Sequence, residues 1–130
     1  MSGYNRYMAS DKKILAVDDD RLVRMSVKKI LEGAGYSVVL AASGEEAIEI
    51  FPTDSFDLVL TDIRMPGMDG LATLRALREV LEYSKKPRIP EIVITAYNDK
   101  NVIEEAQKMG VAKFLFKPFD VNDFLDTIKT

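Results

Sequence analysis

The sequence contains no cysteine and no histidine. Without cysteine the chain has no disulfide, no thiolate nucleophile and no soft-metal site, which suits a cytoplasmic protein. Without histidine it has no imidazole base, no imidazole metal ligand and no phosphohistidine of its own. Any chemistry in this chain must therefore use carboxylates, hydroxyls and amines.

Long hydrophobic runs and a positive charge excess are also missing. The apolar runs are of strand length, well short of the roughly 20 residues that span a bilayer, so we expect no membrane segment and no signal peptide. The net charge of -3 provides no basic field, which disfavours direct nucleic acid binding. A chain of 130 residues, 47% apolar and 30% charged, fits one compact domain.

Five short apolar runs alternate with segments of helical period. Runs that are apolar without alternation indicate strands buried on both faces, as in a parallel sheet with helices on each side. The pattern predicts an α/β fold with a doubly wound, five-stranded parallel sheet. We expect a flexible lead-in over residues 1–12 and the folded domain over 13–130. The predicted strands are 14–17, 37–41, 58–61, 91–96 and 113–116.

Polar side chains stand at the ends of four of these strands. They are Asp18 and Asp19, Asp62, Thr95 and Lys117. In a doubly wound sheet such groups gather at one edge, beyond the carboxyl ends of the strands. Converging carboxylates repel unless a divalent cation neutralises them, and magnesium prefers carboxylate oxygens. With a cation, an ammonium and a hydroxyl at hand, a carboxylate can accept a phosphoryl group, so the set indicates a phosphoryl-transfer site.

Each of these residues alone has an ordinary structural explanation. A threonine at the end of a strand is usually there because β-branched side chains pack well in a sheet, and a lysine before proline is usually solvent exposed. Aspartates before helices or strands are usually turn or N-cap residues, and we interpret Asp20 as a cap rather than a ligand. The joint placement of the other groups favours a site. The same turn or cap interpretation applies to Asp57, Asp69, Asp99 and Asp120.

Four segments of the sequence resemble the receiver domain of two-component response regulators, in particular the chemotaxis regulators. They are ILAVDDD, DLVLTDIRMPGMDG, IVITA and FLFKPF, and the resemblance runs from about Lys13 to Lys129. It implies a flavodoxin-like sheet of strand order 2-1-3-4-5. It also implies that Asp62 accepts a phosphoryl group from a partner histidine kinase or histidine phosphotransfer protein, and that the domain then controls an output protein, which the sequence leaves unknown.

The resemblance assigns further roles around Asp62. Asp19 and Asp62 would bind Mg²⁺ together with the backbone carbonyl of Arg64, and Asp18 would act mostly through water. Such a domain is not a conventional enzyme, but it catalyses its own phosphorylation and its own slow dephosphorylation. Arg64 and Tyr97 would flank the pocket and limit the access of water.

The remaining roles concern the response to phosphorylation. Thr95 and Lys117 would contact the phosphoryl group. Phe114 occupies the switch position of the fifth strand, where many members of the family have tyrosine. The face formed by the fourth helix, the fifth strand and the fifth helix would change its shape.

Two alternatives stay open at the level of sequence. Asp18 to Asp20 also fit the signature of a haloacid dehalogenase-type phosphatase with Asp18 as the nucleophile, although Leu22 replaces the usual threonine or valine and the chain is short for that fold. The other alternative is a docking module that is never phosphorylated. The intact acidic set argues against it, because a docking module gains nothing from the repulsion among the carboxylates. The sequence ends at Thr130, so we expect no output domain in it.

Overall fold

The computed structural model describes residues 12–96 and 98–129. The predicted lead-in therefore lies outside the described residues except for Lys12, and Tyr97 also lies outside them. The strands are β1 (Lys13–Val17), β2 (Ser37–Ala41), β3 (Leu58–Asp62), β4 (Glu91–Ala96) and β5 (Lys113–Lys117). The helices are α1 (Arg21–Gly33), α2 (Gly44–Ile50), α3 (Gly70–Tyr83), α4 (Lys100–Met109) and α5 (Val121–Lys129), with a 3₁₀ turn over Phe51–Thr53.

The five strands form one sheet in which every pair is parallel, in the order β2-β1-β3-β4-β5. This confirms the predicted doubly wound fold and its strand order. All five residues of the central strand β3 are buried, whereas the edge strands β2 and β5 are largely half-buried or exposed. Central strands must be apolar on both faces because helices cover each side of the sheet.

Two hydrophobic clusters lie on opposite faces of the sheet. One joins the sheet to α2, α3 and α4 through residues such as Leu74 and Ala106. The other joins it to α1 and α5 through residues such as Leu31 and Phe124. The layered packing fixes the carboxyl ends of β1, β3, β4 and β5 along one edge, where the polar side chains of interest stand.

Glycines lie at the carboxyl ends of two of the helices. Gly35 follows α1 with a φ of 100°, and Gly110 ends α4 with a φ of 78°. Both values lie in the left-handed region, which glycine adopts without steric cost. The second helix ends at Ile50, where the chain continues as a 3₁₀ turn from Phe51 that contains Pro52, a residue without an N–H.

The longest helix among the described residues is α3, with 14 residues. None of the helices in this part of the chain is long and apolar enough to cross a bilayer.

Candidate functional site

The two carboxylates that follow β1 differ in their surroundings. Asp18 is buried, with 5% of its surface exposed, whereas Asp19 is exposed. Oδ1 of Asp18 accepts the N–H of Asp20 at 2.9 Å. Oδ2 of Asp18 is buried and has no hydrogen-bond partner among the described residues. Burial raises the pKa of Asp18, and the negative charge of Asp62 acts in the same direction.

Asp62 ends the central strand and is buried with 7% exposure. Its Oδ1 accepts the N–H of Ile63 at 2.8 Å, and its Oδ2 lies 3.2 Å from Nζ of Lys117 at the end of β5. One carboxylate oxygen is thus held by the backbone while the other faces an ammonium. The two contacts fix the side chain at the carboxyl-terminal edge of the sheet.

The three carboxylates lie close enough to share one cation. One oxygen from each of Asp18, Asp19 and Asp62 lies within 4.8 Å of the others. The unpartnered Oδ2 of Asp18 is an additional sign that the set fits a positively charged ligand, because a buried carboxylate oxygen without a donor is costly. Oxygen-only donors of this kind suit a hard divalent ion such as Mg²⁺.

Thr95 stands on β4, the neighbour of β3, and Phe114 stands on β5, one strand farther away. Asp62 pairs with Ile94, so Thr95 lies one residue farther along the neighbouring strand, where it is buried with 3% exposure. Phe114 lies in β5 opposite Val93 and is half-buried against the cluster beneath α4. Its ring stacks on that of Phe116 with centroids 6.1 Å apart. Phe114 is therefore separated from the carboxylates by β4 and does not belong to the acidic pocket.

Three aspartates predicted to cap helices do so. Asp20 Oδ1 accepts the N–H groups of Leu22 and Val23 at 2.8 and 3.3 Å. Asp69 and Asp120 accept N–H groups of α3 and α5 at 2.8 and 2.7 Å. The cap interpretation of Asp20, which left it out of the metal site, is confirmed.

Asp99 lies in a turn at an N-cap position, as predicted, but its side chain has a different partner. Asp99 occupies the N-cap position of α4, but its side chain makes no capping hydrogen bond with the described residues. Its Oδ2 instead accepts Nε and Nη2 of Arg64 at 3.0 and 2.7 Å. The carboxylate of Asp99 is thus bonded to a guanidinium from the loop after β3 instead of to the first turn of the helix.

Two residues that support the site were not predicted from the sequence. Nη1 of Arg24 donates to the backbone carbonyl of Asp18 at 2.7 Å and so holds the turn after β1. Gly70 packs directly against the acceptor strand, because a Cβ at this position would lie 2.1 Å from the backbone oxygen of Asp62. The Asp-Gly pair before α3 signals a turn, but no local pattern signals this close approach.

The sequence and the fold both have well-characterised relatives. The sequence model of the response regulator receiver domain matches residues 14–129. Sporulation initiation phosphotransferase F of Bacillus subtilis (strain 168) is 34% identical over 119 residues, which cover 92% of each chain. Transcriptional regulatory protein ZraR of Escherichia coli (strain K12) is 40% identical over 116 residues, which cover 89% of this chain and 25% of that protein. The chain thus spans about a quarter of the length of this regulator.

Among solved structures, the chemotaxis protein CheY4 of Vibrio cholerae superimposes with a TM-score of 0.83 at 32% identity and covers 92% of this chain and 98% of that one. These matches agree with the strand order and decide against the haloacid dehalogenase-type phosphatase. The chain belongs to the response regulator receiver domain family, the domain of two-component systems that is phosphorylated on aspartate.

Proposed function

We propose that Asp62 is the phosphoacceptor and that the phosphoryl group comes from a phosphohistidine on a partner histidine kinase or histidine phosphotransfer protein. The observation that carries this proposal is the position of Asp62. It is the buried carboxylate that ends the central strand, 3.2 Å from the Lys117 ammonium and in the same cluster as Asp18 and Asp19.

The proposed transfer uses this chain's own groups as follows. A carboxylate oxygen of Asp62 forms a bond to phosphorus while the bond between phosphorus and the partner's imidazole nitrogen breaks. The nitrogen keeps the electron pair of the broken bond and later takes up a proton. The Lys117 ammonium stabilises negative charge on the phosphoryl oxygens, and the hydroxyl of Thr95 donates a hydrogen bond to one of them.

We further propose that Asp18, Asp19, Asp62 and the backbone carbonyl of Arg64 hold Mg²⁺, with Asp18 acting mostly through water. The unpartnered Oδ2 of Asp18 and the shared 4.8 Å cluster support this ligand set. When bound, the ion neutralises the carboxylates and the incoming phosphoryl oxygens. The raised pKa of Asp18 is consistent with a pocket that requires such a charge.

The surface beside the pocket supports a protein donor. Leu22 and Met25 on α1 and Val121 on α5 are large apolar side chains with 76, 55 and 50% of their surface exposed. α1 begins directly after the acidic turn and α5 follows Lys117 closely, so this apolar rim borders the acceptor. Exposed apolar patches beside a polar site are typical of protein docking surfaces. A helical partner that carries the phosphohistidine fits such a rim, and we place the protein in the cytoplasm with that partner.

Phosphorylation is proposed to act on an unknown output protein through the face of α4, β5 and α5. A phosphoryl group draws the hydroxyl of Thr95 inward, and the space left next to β5 admits the ring of Phe114. Phe114 is already half-buried against the cluster beneath α4, so a modest rotation is enough to bury it further. We assign this switching domain to residues 13–130.

The test is intact mass after incubation with acetyl phosphate and Mg²⁺, followed by mapping of the modified residue. The parent should gain one phosphoryl group on Asp62, and Asp62→Asn should gain none. Asp126→Asn is the matched control, because Asp126 is exposed on α5 and should leave the labelling unchanged. Labelling of Asp18 would support the phosphatase chemistry instead. A parent that takes no label from acetyl phosphate or from phosphohistidine donors would support the docking module.

A further inference from the structure

The first turn of α4 differs from that of every other helix in the described part of the chain. The helices α1, α2, α3 and α5 each have a side-chain oxygen that accepts an N–H of the first turn, from Asp20, Ser43, Asp69 and Asp120 respectively. The residue at the start of α4, Asp99, has the same chemistry and the same position but is bound to Arg64. The first turn of α4 is therefore left without its cap.

α4 has the fewest buried residues among the helices described. Ala106 is its one buried residue, whereas α3 has five. An exposed ion pair between Arg75 and Glu105 ties the middle of α4 to α3. The amino-terminal turn packs against the core through the half-buried Val102 and has no side-chain cap among the described residues, so a cap would add directly to its stability.

The Arg64–Asp99 ion pair joins the loop after β3 to the loop after β4. Arg64 follows Asp62 by two residues in the loop after β3, and Asp99 follows Thr95 by four residues in the loop after β4. The side chain of Arg64 is 74% exposed and that of Asp99 18%, so solvent reaches the guanidinium and weakens the pair. Arg64 lies two residues from the carboxylate that is proposed to receive phosphate.

We propose that Arg64 is a phosphoryl-binding residue and that it reaches the phosphoryl group by leaving Asp99, which then caps α4. This inference rests on the proposed function of Asp62. A phosphoryl group carries about -1.5 to -2 charges, against one on Asp99, and presents the oxygens that a guanidinium binds in pairs. Asp99 occupies the N-cap position of α4, so its released carboxylate would accept the N–H groups of Asn101 and Val102, as Asp20 accepts those of Leu22 and Val23.

In this proposal Arg64 exchanges the carboxylate of Asp99 for the phosphoryl group on Asp62. The exchange couples Asp62 to α4 by a route that does not involve Thr95. The unphosphorylated state has the ion pair and an uncapped helix. The phosphorylated state has an Arg64–phosphoryl contact and a capped helix. Both states satisfy the guanidinium, so the phosphoryl group determines which of them is populated.

The first experiment tests the ion pair without any phosphodonor. Hydrogen exchange of the Asn101 and Val102 amides is measured by NMR in the parent, in Arg64→Ala and in the double variant R64A/D99A. Arg64→Ala should slow the exchange of both amides about fivefold, the effect of one side-chain cap, and the double variant should lose that protection. The matched control is Glu105→Gln, which breaks the exposed ion pair with Arg75 on the same helix and should leave both amides unchanged.

Equal exchange in the parent and in Arg64→Ala would overturn the inference, because it would mean that Asp99 does not cap α4 when it is released. Protection that persists in the double variant would overturn it as well, since the protection would not then come from Asp99.

The second experiment repeats the measurement after labelling with acetyl phosphate and Mg²⁺, with the label on Asp62 verified by mass. The phosphorylated parent should show the protection of unphosphorylated Arg64→Ala, about fivefold, and Arg64→Ala should show no further gain when phosphorylated. Unchanged exchange in a parent labelled on Asp62 would refute the contact of Arg64 with the phosphoryl group while the proposed acceptor stands. A parent without label on Asp62 would refute the proposed function and the phosphoryl contact together, and the first experiment would still decide the role of the ion pair.

Discussion

Replacing Asp18 by asparagine should stabilise the metal-free protein. The substitution removes a buried charge but keeps the shape of the side chain, and the amide oxygen can still accept the N–H of Asp20. Two unit charges 4.8 Å apart repel by about 0.9 kcal/mol at the dielectric constant of water and by about 3.5 kcal/mol at an effective value of 20. Because Asp19 is exposed and Lys117 offsets part of the repulsion, we expect a gain of about 1–2 kcal/mol in the free energy of unfolding at pH 7.

The stability that Asp18→Asn gains over the parent should increase with pH, because the pKa of Asp18 is raised in the folded state. Burial raises this pKa above its ordinary value of 3.8, so the folded state binds the proton more tightly than the unfolded state. Below pH 3.8 Asp18 is protonated in both states and the asparagine has no advantage. As the pH rises from there through the raised pKa, the parent loses stability relative to Asp18→Asn. Above the raised pKa the difference is complete.

Urea unfolding in the presence of chelator measures this difference. Asp20→Asn is the matched control, because it makes the same chemical change at the N-cap of α1. It removes a favourable negative charge at the start of a helix and should lower the free energy of unfolding by about 0.3–1 kcal/mol. Mg²⁺ at ten times its dissociation constant should add about 1.4 kcal/mol to the parent and less to Asp18→Asn. If Asp18→Asn were no more stable than the parent in chelator at pH 7, the burial of the Asp18 charge and its repulsion by the other carboxylates would not be the main contributions of Asp18 to the free energy of unfolding.

Three more outcomes are expected. Thr95→Ala should still be labelled on Asp62 but should not show the phosphorylation-induced amide shifts around Phe114, and full shifts in this variant would rule out the route through Thr95. Labelling by acetyl phosphate should be lost in excess chelator and in the variant D18N/D19N, and unchanged labelling in either, read by intact mass, would count against the carboxylate cluster. Gly70→Ala should cost about 1–3 kcal/mol in urea unfolding and slow the labelling of Asp62, because the new Cβ would meet the backbone oxygen of Asp62, and wild-type stability would show that α3 moves aside.

The fold and the set of site residues could be predicted because both depend on regular geometry. Apolar runs without alternation identify buried parallel strands, and the carboxyl ends of parallel strands share one edge. The residues that directly follow the apolar runs are therefore expected to lie close together at this edge. Asp18, Asp62 and Lys117 do lie close together there. The strand order itself came from the family resemblance, since strand periodicity alone does not order strands.

The side-chain partners could not be predicted, because they depend on how loops and neighbouring elements meet in space. The sequence has Asp99 in the position of a cap, yet a guanidinium 35 residues away binds it. Glu91 begins a buried strand and is itself buried, which is possible because Arg78 of α3 bonds its carboxylate at 2.8 Å. Likewise the sequence DDD does not show that Asp18 is buried and Asp19 exposed. The turn after β1, which Arg24 holds, determines that difference.

β4 lies between the acceptor and the surface that is proposed to respond. Asp62 pairs with Ile94 on one side of β4, and on its other side Thr95 pairs with Phe116 of β5. Thr95 is the last residue but one of this strand, and Asp99 precedes the first residue of α4. A phosphoryl group that attracts Thr95 and Arg64 therefore acts on both ends of one short loop, through a hydrogen bond at its beginning and a released carboxylate at its end. Ala106 is the one buried residue of α4 and Val102 of its first turn is half-buried, so we expect a change of a few charge-assisted hydrogen bonds at the pocket to be large enough to move this turn.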